Sequence, residues 1–265
     1  AVFVVGTASH GQKRWIYIGS IGFQPSEFAK FVLIIFLASI CGAAGSMMKK
    51  WKGILLVFLW MMPVAGMVMV TNLSTGIIIM GIAFIIIFTA SRQWLPFFVL
   101  MGLGGGFMGI FLKLASYRVG RIEAWLNVET HPKGYQTRQS LYAIGSGGLF
   151  GRGYGKSIQK LAYIPEAHND MIFSVICEEW GLLGAGIIAA LFIFLIWRCL
   201  ITANSAPDIS GALLTMGVTA HLGLQMLINI AVVTNSIPNT CIPLPFISYG
   251  GTVSYTHLRA HETEL

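Results

Sequence analysis

Ionisable side chains cluster where a polar stretch of the sequence runs into an apolar one. Glu166, His168 and Asp170 are the last such residues before the apolar segment that begins at Met171. A single acid here would serve as a helix N-cap, stabilising the first turn and its dipole. The crowding favours chemistry instead, because desolvation at a bilayer edge raises the pKa of a carboxyl group towards general-base values. A candidate general base therefore lies at this junction, beside the N-cap alternative.

Charged and polar residues also lie inside the apolar segments. Glu178 and Glu179 are two turns beyond Asp170, and Lys30 follows Glu27 by one turn. Ionisable groups within a membrane are costly, so the two glutamates are expected to face a cavity or a cationic partner. Lys30 could pair with Glu27 or bind an anion. Interhelical hydrogen bonding is the favoured role for a stripe at i, i+4 and i+8 of the last full span: His221, Gln225 and Asn229.

A glycine-rich, basic stretch spans residues 134–157 and ends in Gly155-Lys156-Ser157. A phosphate-binding P-loop would need glycine at position 150, where this chain has Phe150, and the dinucleotide fingerprint fails at the same residue. Nucleotide binding is therefore disfavoured. What remains is a flexible, cationic loop with exposed backbone, suited to a phosphate or pyrophosphate group, with a solvated glycine-rich turn as the alternative.

The sequence around these residues is that of a membrane protein. Of 265 residues, 55% are hydrophobic and only 10% charged, against about 25% charged in soluble domains. This composition excludes a soluble enzyme, a disordered chain and a disulfide scaffold. Four scattered cysteines without CxxC spacing indicate small buried hydrophobes rather than a disulfide or metal site. The net charge of +7 is spread over loops, so the expected partners are anionic membrane lipids or a phosphate-bearing ligand, not nucleic acid.

Apolar runs predict an all-α, polytopic membrane helix bundle with about six complete spans. The predicted spans cover residues 22–46, 53–71, 75–91, about 95–115, about 171–198 and about 209–235. The first begins at Gln24-Pro25-Ser26-Glu27, a pattern typical of a helix start. Basic loops place Lys49, Arg92 and Arg198 in the cytoplasm and the polar stretch 116–170 outside, although this large extracytoplasmic loop is itself basic.

Both ends of the chain are expected to be non-native. Residues 1–6 are typical of the end of a membrane helix without its beginning, and they show neither an initiator Met nor a signal-peptide pattern. Residues 253–265, VSYTHLRAHETEL, resemble translated sequencing-adapter read-through. We therefore predict one membrane domain over residues 1–252, incomplete at both ends, and a non-native tail over residues 253–265. A genuine polar tail is the alternative.

Four separated motifs fall in order over residues 6–252. They are Lys13-Arg14-Trp15 with Gln24 to Lys30, Gly134 to Gly155, Pro165 to Glu179, and Pro243 to Gly251. Together they resemble the SEDS proteins (shape, elongation, division and sporulation), which include FtsW, RodA and SpoVE, and residues 231–240 resemble the division-type FtsW branch most. The chain departs from the family at His10, Gln12, Asn72 and Cys241. A glycine is usual at position 241, so we expect strain in that turn.

The resemblance implies a ten-helix fold and a peptidoglycan glycosyltransferase that polymerises lipid II on the outer face of the bacterial cytoplasmic membrane during cell division. An acceptor hydroxyl must lose a proton as it attacks the anomeric carbon, and Asp170 matches the catalytic aspartate of the family. The leaving group is undecaprenyl pyrophosphate, whose developing charge needs cations, and the implied geometry is inverting. The residues that we assign to substrate binding are Arg14, Glu27, Lys30, Arg138, Gln139, Ser140, Arg152, Glu166, His168 and Ser248.

The cofactor and the partners follow from the same resemblance, and two rival functions from other classes remain. A divalent cation, Mg²⁺ or Mn²⁺, could share the stabilisation of the pyrophosphate, but no compact ligand cluster is visible and no metal ligand is assigned. The implied partners are lipid II, a class B penicillin-binding protein that crosslinks the strands, and other division proteins. One rival is a lipid II flippase or other transporter, which would tolerate Asp170→Asn. The other is a non-catalytic division scaffold, which would also tolerate loss of Glu27 and Lys30.

Overall fold

The computed structural model describes residues 7–9, 12–18, 21–91, 93, 98–99, 101–106, 109, 116–161, 163–165 and 167–249. These residues are predominantly helical, which confirms the all-α class, with one small sheet near the start of the chain. They form two compact units. The first holds the described residues up to 98, residues 199–221 and residue 249, and the second holds residues 99–198 and 222–248.

The small sheet was not expected from the sequence. Strands β1 (Thr7–Ser9), β2 (Gln12–Ile18) and β3 (Ile21–Phe23) form an antiparallel meander in the order β1-β2-β3. Ser9 pairs with Gln12 and Ile18 pairs with Ile21, at the adjoining ends of the strands. The β-branched and aromatic residues of β2 favour a strand, but the segment is too short to show in a search for membrane spans.

Three apolar helices follow in the first unit. They are α1 (Pro25–Ala44), α2 (Trp51–Thr71) and α3 (Leu73–Ser91). Helix α1 begins with proline in its first turn and Glu27 close behind, as its sequence predicted. Helices α2 and α3 are separated by Asn72 alone, whose side-chain Oδ1 accepts a hydrogen bond from the Thr75 amide at 3.3 Å and so caps α3.

Two helices lie within the stretch 116–170 that was expected to be a loop. They are α4 (Ser116–Leu126) and α5 (Tyr135–Gly147), joined through a 3₁₀ turn at Pro132–Gly134. Trp125 Nε1 donates to the Asn235 carbonyl at 2.9 Å, and the buried Ser140 hydroxyl donates to the Val233 carbonyl at 3.1 Å. Both helices are therefore fastened to the chain that follows the last span.

The last two helices are α6 (Ile172–Asn204) and α7 (Ile209–Val233). Together with α1, α2 and α3 they make five helices that are long and apolar enough to cross a membrane, so the chain is a multi-pass membrane protein and five of the six predicted spans are confirmed. The sixth, at about 95–115, lies largely outside the described residues, of which 98–99, 101–106 and 109 are helical. Gln93 Nε2 donates to the Lys49 carbonyl at 2.5 Å, as expected for two loops at the same end of the bundle.

Helix α6 is broken at Gly181, where φ is 69° and ψ is −167°. A continuous helix of its 33 residues would be about 50 Å long, more than the roughly 30 Å of a bilayer core. The backbone groups freed by the break are satisfied by the glycine-rich loop. The amides of residues 152–153 donate to the carbonyls of residues 178–179, and the amides of residues 182–183 donate to the carbonyls of residues 148–149, over 2.9 to 3.2 Å. Non-helical backbone at this depth is tolerated because protein, not lipid, pairs with it.

Each unit has its own apolar core. In the first, fully buried aliphatic side chains come from all three helices α1, α2 and α3, among them Leu37, Met61 and Ile82. In the second, the start of α6 packs with α5, the end of α7 and the segment after it, and Met171 and Val233 are completely buried. The residues just before α6 are thus held in a packed environment rather than on a free loop.

Candidate active site

Asp170 lies two residues before α6 and is 94% buried, with a relative exposure of 6%. Its carboxylate accepts hydrogen bonds from Gln136 Nε2, at 3.3 Å to Oδ1 and 3.5 Å to Oδ2. Gln136 stands in the first turn of α5, so the packing of that helix positions the donor. Negative charge beside a helix N-terminus is also favoured by the helix dipole. At the junction that the sequence pointed out, the acid is therefore buried and held by a residue of a neighbouring helix.

Polar side chains from the end of the chain fix the backbone on which Asp170 stands. Asn229 Nδ2 donates to the Asp170 carbonyl at 2.8 Å and to the Ile242 carbonyl at 2.7 Å. The Ser248 hydroxyl donates to the Asn169 carbonyl at 2.5 Å. Asn229 was expected to bond between helices, but it bonds to two carbonyls outside helices, because those groups have no helical partner of their own.

The side chain of Gln136 is itself held by two further groups. Its Nε2 also donates to the Pro165 carbonyl at 3.1 Å, and its Oε1 accepts from Asn239 Nδ2 at 3.1 Å. The Oδ1 atom of Asn239 accepts from the Cys241 amide at 3.0 Å. A continuous series of hydrogen bonds therefore runs from the turn at residue 241 to the carboxylate of Asp170.

A polar cavity of about 280 Å³ adjoins this series. Two cations, Arg121 and Lys133, line it together with the amides of Gln136 and Asn239. Arg121 Nη1 also donates to the Asn239 carbonyl at 3.3 Å. The complete lining is Arg121, Ala124, Trp125, Lys133, Gly134, Gln136, Thr137, Asn235, Asn239 and Cys241. Positive charge in a polar cavity beside a buried acid is suited to an anionic sugar donor or its leaving group.

Sequence reasoning missed four residues of this site: Arg121, Lys133, Gln136 and Asn239. All four belong to stretches that the sequence had marked, as basic loop residues or as parts of the family motifs. Their convergence was hidden because Gln136 and Asn239 are 103 residues apart, so only the fold brings them together. The sequence could have indicated these residues by their type, because they are amides and cations within the marked segments. Their spacing gave no indication.

Glu178 and Glu179 form a second acidic site, deeper in the same helix. The Glu178 carboxylate accepts the Ser157 hydroxyl at 2.5 Å and the amides of the next two residues at 3.1 and 3.2 Å, with Arg152 Nη1 at 3.7 Å. Glu179 forms an ion pair with Lys160 at 2.6 Å. The expectation that these acids face cationic partners is confirmed. Arg152, assigned to substrate binding, lies beside Glu178 with its side chain 39% exposed.

Glu27 and Lys30 form an ion pair in the first unit. Lys30 Nζ lies 2.8 Å from Glu27 Oε2, with the side chain of Lys30 1% exposed and that of Glu27 35% exposed. Of the two roles that the sequence left open for Lys30, the structure shows the pairing. The edge of the Phe31 ring meets His221 with centroids 5.4 Å apart, so the stripe residue His221 packs in the same unit.

Two more of the predicted binding residues lie on α5 and contact protein groups. The Arg138 guanidinium donates to the Glu129 carbonyl and lies over the Tyr135 ring at 5.7 Å from its centroid. Ser140 is completely buried, with its hydroxyl bonded to the Val233 carbonyl. Ser140 therefore fastens α5 to the end of α7.

For the remaining predicted binding residues the structure gives only the position in the fold or the exposure. Gln139 is half-buried on α5, and His168 is exposed two residues before Asp170. The backbone of Arg14 lies in strand β2. Glu166 lies outside the described residues.

The possibility of a bound divalent cation can be tested on the acidic side chains. Within the part of the chain that the structure describes, no three His, Cys, Asp or Glu side chains come together as a metal-binding group. Glu178 is surrounded by protein donors, and Glu179 is paired with Lys160. The described residues therefore do not fit a protein-held metal.

The same chain is similar over its length to a family of cell-cycle proteins. The sequence model of the FtsW/RodA/SpoVE family, described as "Cell cycle protein", matches residues 1–260. The chain belongs to this family. Stage V sporulation protein E of Bacillus subtilis is 40% identical over 260 residues, covering 94% of this chain and 69% of that protein. The probable peptidoglycan glycosyltransferase FtsW of Coxiella burnetii is 39% identical over 256 residues, with the same coverage of 94% and 69%.

Solved structures of FtsW/RodA/SpoVE proteins share the fold. A chain from a peptidoglycan synthase complex, studied for the coordination of polymerization and crosslinking, is 25% identical with a TM-score of 0.76, and the match covers 99% of this chain and 74% of that one. The rod shape determining protein RodA of Thermus thermophilus is 27% identical with a TM-score of 0.65, covering 99% and 71%. The membrane-bundle architecture expected from the motifs is thus confirmed.

Proposed function

We propose that this protein is a peptidoglycan glycosyltransferase that polymerises lipid II into glycan strands. The observation that carries the proposal is the buried Asp170 carboxylate, held by Gln136 beside a cavity that contains Arg121 and Lys133. Relatives that are 35–39% identical over most of this chain are named probable peptidoglycan glycosyltransferases, which supports the same chemistry here.

In the proposed reaction Asp170 is the general base. A sugar hydroxyl of the acceptor loses its proton to the Asp170 carboxylate as its oxygen attacks the anomeric carbon of a second lipid-linked sugar. The bond from that carbon to the pyrophosphate oxygen breaks, and undecaprenyl pyrophosphate leaves with the bonding electrons. Attack on one face and departure from the other invert the anomeric centre. A single base suffices because the pyrophosphate is already a good leaving group.

We assign the contacts to the departing pyrophosphate first to Arg121 and Lys133, which line the same cavity as Gln136. Preorganised cations stabilise charge that develops in the transition state. The earlier candidates Lys30 and Arg152 each lie beside a protein carboxylate, which leaves them less available for a ligand. Arg138, like Arg121, donates to a backbone carbonyl and stays a candidate.

We propose that the enzyme works in the bacterial cytoplasmic membrane, with the site on the outer face, during cell division. Five membrane-crossing helices and the relatives named FtsW support this setting. We also propose a class B penicillin-binding protein as partner, because one structural relative belongs to a complex that couples polymerization to crosslinking.

The test is polymerisation of purified lipid II by the full-length protein, alone and with its cognate penicillin-binding protein, beside Asp170→Asn. We expect glycan chains from the wild type and a loss of about 10²- to 10⁴-fold in the variant, the range for removal of a general base. Equal chain formation by both proteins would contradict the role of Asp170 and make Glu166 the next acid to test. No polymer from either protein, with lipid II crossing liposomes, would identify a transporter. Complementation of division by Asp170→Asn and also after loss of Glu27 and Lys30, with neither polymer nor lipid II transport, would identify a scaffold.

A further inference from the structure

Two side-chain amides connect the turn at residue 241 to the candidate base, and we call Asn239 and Gln136 the amide relay. The Cys241 amide donates to Asn239 Oδ1 at 3.0 Å, and Asn239 Nδ2 donates to Gln136 Oε1 at 3.1 Å. Gln136 Nε2 then donates to the carboxylate of Asp170 at 3.3 and 3.5 Å. The relay lies beside the cavity that Arg121 and Lys133 line.

The orientation of both amides is set from both ends of the relay. A backbone N–H such as that of Cys241 can only donate, so Asn239 must turn its oxygen towards it and its nitrogen towards Gln136. At the other end, the Pro165 carbonyl can only accept, so Gln136 must turn its nitrogen towards Pro165 and Asp170. The two requirements agree, and the side chain of Gln136 therefore presents a donor to the carboxylate.

We propose that Gln136 and Asn239 are positioning residues whose amide orientation keeps a hydrogen-bond donor aimed at the Asp170 carboxylate. The inference deepens the proposed function, since it takes Asp170 as the base. A donor at this place stabilises the ionised carboxylate and fixes its direction, whereas an oxygen turned towards it would repel the charge. Asn239 acts on Asp170 through its hydrogen bond to Gln136.

Two substitutions of Asn239 separate this role from simple packing. Asn239→Asp keeps the shape of the side chain but removes its donor. Gln136 can then flip, which turns its Oε1 towards Asp170. If it does not flip, its Oε1 faces a carboxylate oxygen at position 239, and two acceptors oppose each other. Asn239→Ala removes the group, and Gln136 stays oriented by the Pro165 carbonyl. The relay therefore predicts that Asp is more harmful than Ala. A packing role predicts the reverse, since Ala leaves a void and Asp fits beside Arg121.

The experiment measures kcat and KM for lipid II polymerisation by the full-length wild type and both variants, each checked for folding by thermal unfolding. We expect Asn239→Asp to lower kcat about tenfold or more with KM nearly unchanged, as for loss of a hydrogen bond to a charged group, and Asn239→Ala to lower it clearly less. An equal or larger loss in Asn239→Ala, or no loss in Asn239→Asp, would overturn the relay. If Asn239→Asp does not fold, Gln136→Met takes its place, and an unchanged kcat there would overturn it.

A second measurement does not depend on turnover. The infrared carboxylate band of Asp170, identified by subtraction of the spectrum of Asp170→Asn, is titrated in Gln136→Met and in Asn239→Ala. The other charged groups to account for are Arg121 and Lys133 in the cavity and the exposed His168. We expect the midpoint to rise by about one pH unit or more in Gln136→Met relative to Asn239→Ala, because the first variant loses the donor to the carboxylate, the second keeps it, and neither adds a charge.

The two measurements distinguish failure of the relay from failure of the proposed function. If the wild type makes no glycan but the band shifts as expected, the relay stands and the glycosyltransferase proposal fails. If glycan is made and the band of Gln136→Met titrates with that of Asn239→Ala, the relay is overturned and the proposed function stands.

Discussion

Asp170 and Glu178 are two buried acids eight residues apart, and their surroundings differ. Glu178 is completely buried and accepts a hydroxyl at 2.5 Å and two backbone amides, with Arg152 nearby. Asp170 accepts longer bonds from a neutral amide, at 3.3 and 3.5 Å, and that amide borders a cationic cavity. Burial alone does not make a base. The short bonds of Glu178 fix its carboxylate to residues 157–159 as a structural anchor, whereas the Asp170 carboxylate is held by an amide that borders an open cavity.

The sharpest test of this contrast is a pair of isosteric substitutions. We expect Asp170→Asn to lower turnover by about 10²- to 10⁴-fold with little change in thermal unfolding. Glu178→Gln should do the opposite, lowering the free energy of unfolding by about 2 kcal/mol because one of its accepting oxygens becomes a donor facing other donors. The folded fraction of Glu178→Gln should keep most of its turnover. Loss of turnover without loss of stability in Glu178→Gln would remove the distinction between base and anchor.

The anchor depends on the break in α6, which Gly181→Ala tests. A Cβ at position 181 would press on the backbone of Gly151 and Leu149, and φ there is 69°. We expect a loss of about 3 kcal/mol in the free energy of unfolding, measured in detergent. Gly186→Ala is the matched control on the same helix, since a Cβ there meets nothing within 4 Å. The control should be neutral or slightly stabilising, and equal losses in both variants would show that the break carries no special strain.

On the side of the base, Arg121→Gln tests the cavity. We expect KM for lipid II to rise about tenfold with kcat nearly unchanged, because a charged contact to bound substrate is lost. Lys160→Gln is the control cation, since its ammonium group is already paired with Glu179 at 2.6 Å. A similar rise in KM for Lys160→Gln would mean that general positive charge, and not this cavity, attracts the lipid.

The smallest effect is expected at the far end of the amide relay. Cys241 has φ of 52°, in the left-handed region, which agrees with the strain expected from a cysteine where glycine is usual. Cys241→Gly should raise the free energy of unfolding by about 1 kcal/mol. Asn235→Gly, at φ of 56°, should gain less because asparagine adopts this region more readily. A larger gain at residue 235 would contradict the assignment of strain to Cys241.

The membrane helices were predictable from the sequence and the site was predictable in part. Long apolar runs gave spans such as 53–71 and 209–235, which the structure places at Trp51–Thr71 and Ile209–Val233. Helices α4 and α5 were missed because they are short and polar, and they depend on contacts such as Trp125 to Asn235. Asp170 stood out as an acid at a helix start. The relay did not, since hydrogen bonds between distant segments leave no periodic pattern in the sequence.

The broken helix also has a mechanical consequence. The short segment of α6 before Gly181 is tied at its start, where Asn229 and Ser248 hold the carbonyls of residues 169–170. It is tied again at its end, where the amides of residues 152–153 hold the carbonyls of residues 178–179. Bilayers that differ in thickness tilt or bend helices that cross them. In α6 such bending falls on the longer part beyond Gly181, so the short part next to Asp170 keeps its place, and the alignment of the base should not vary with membrane thickness.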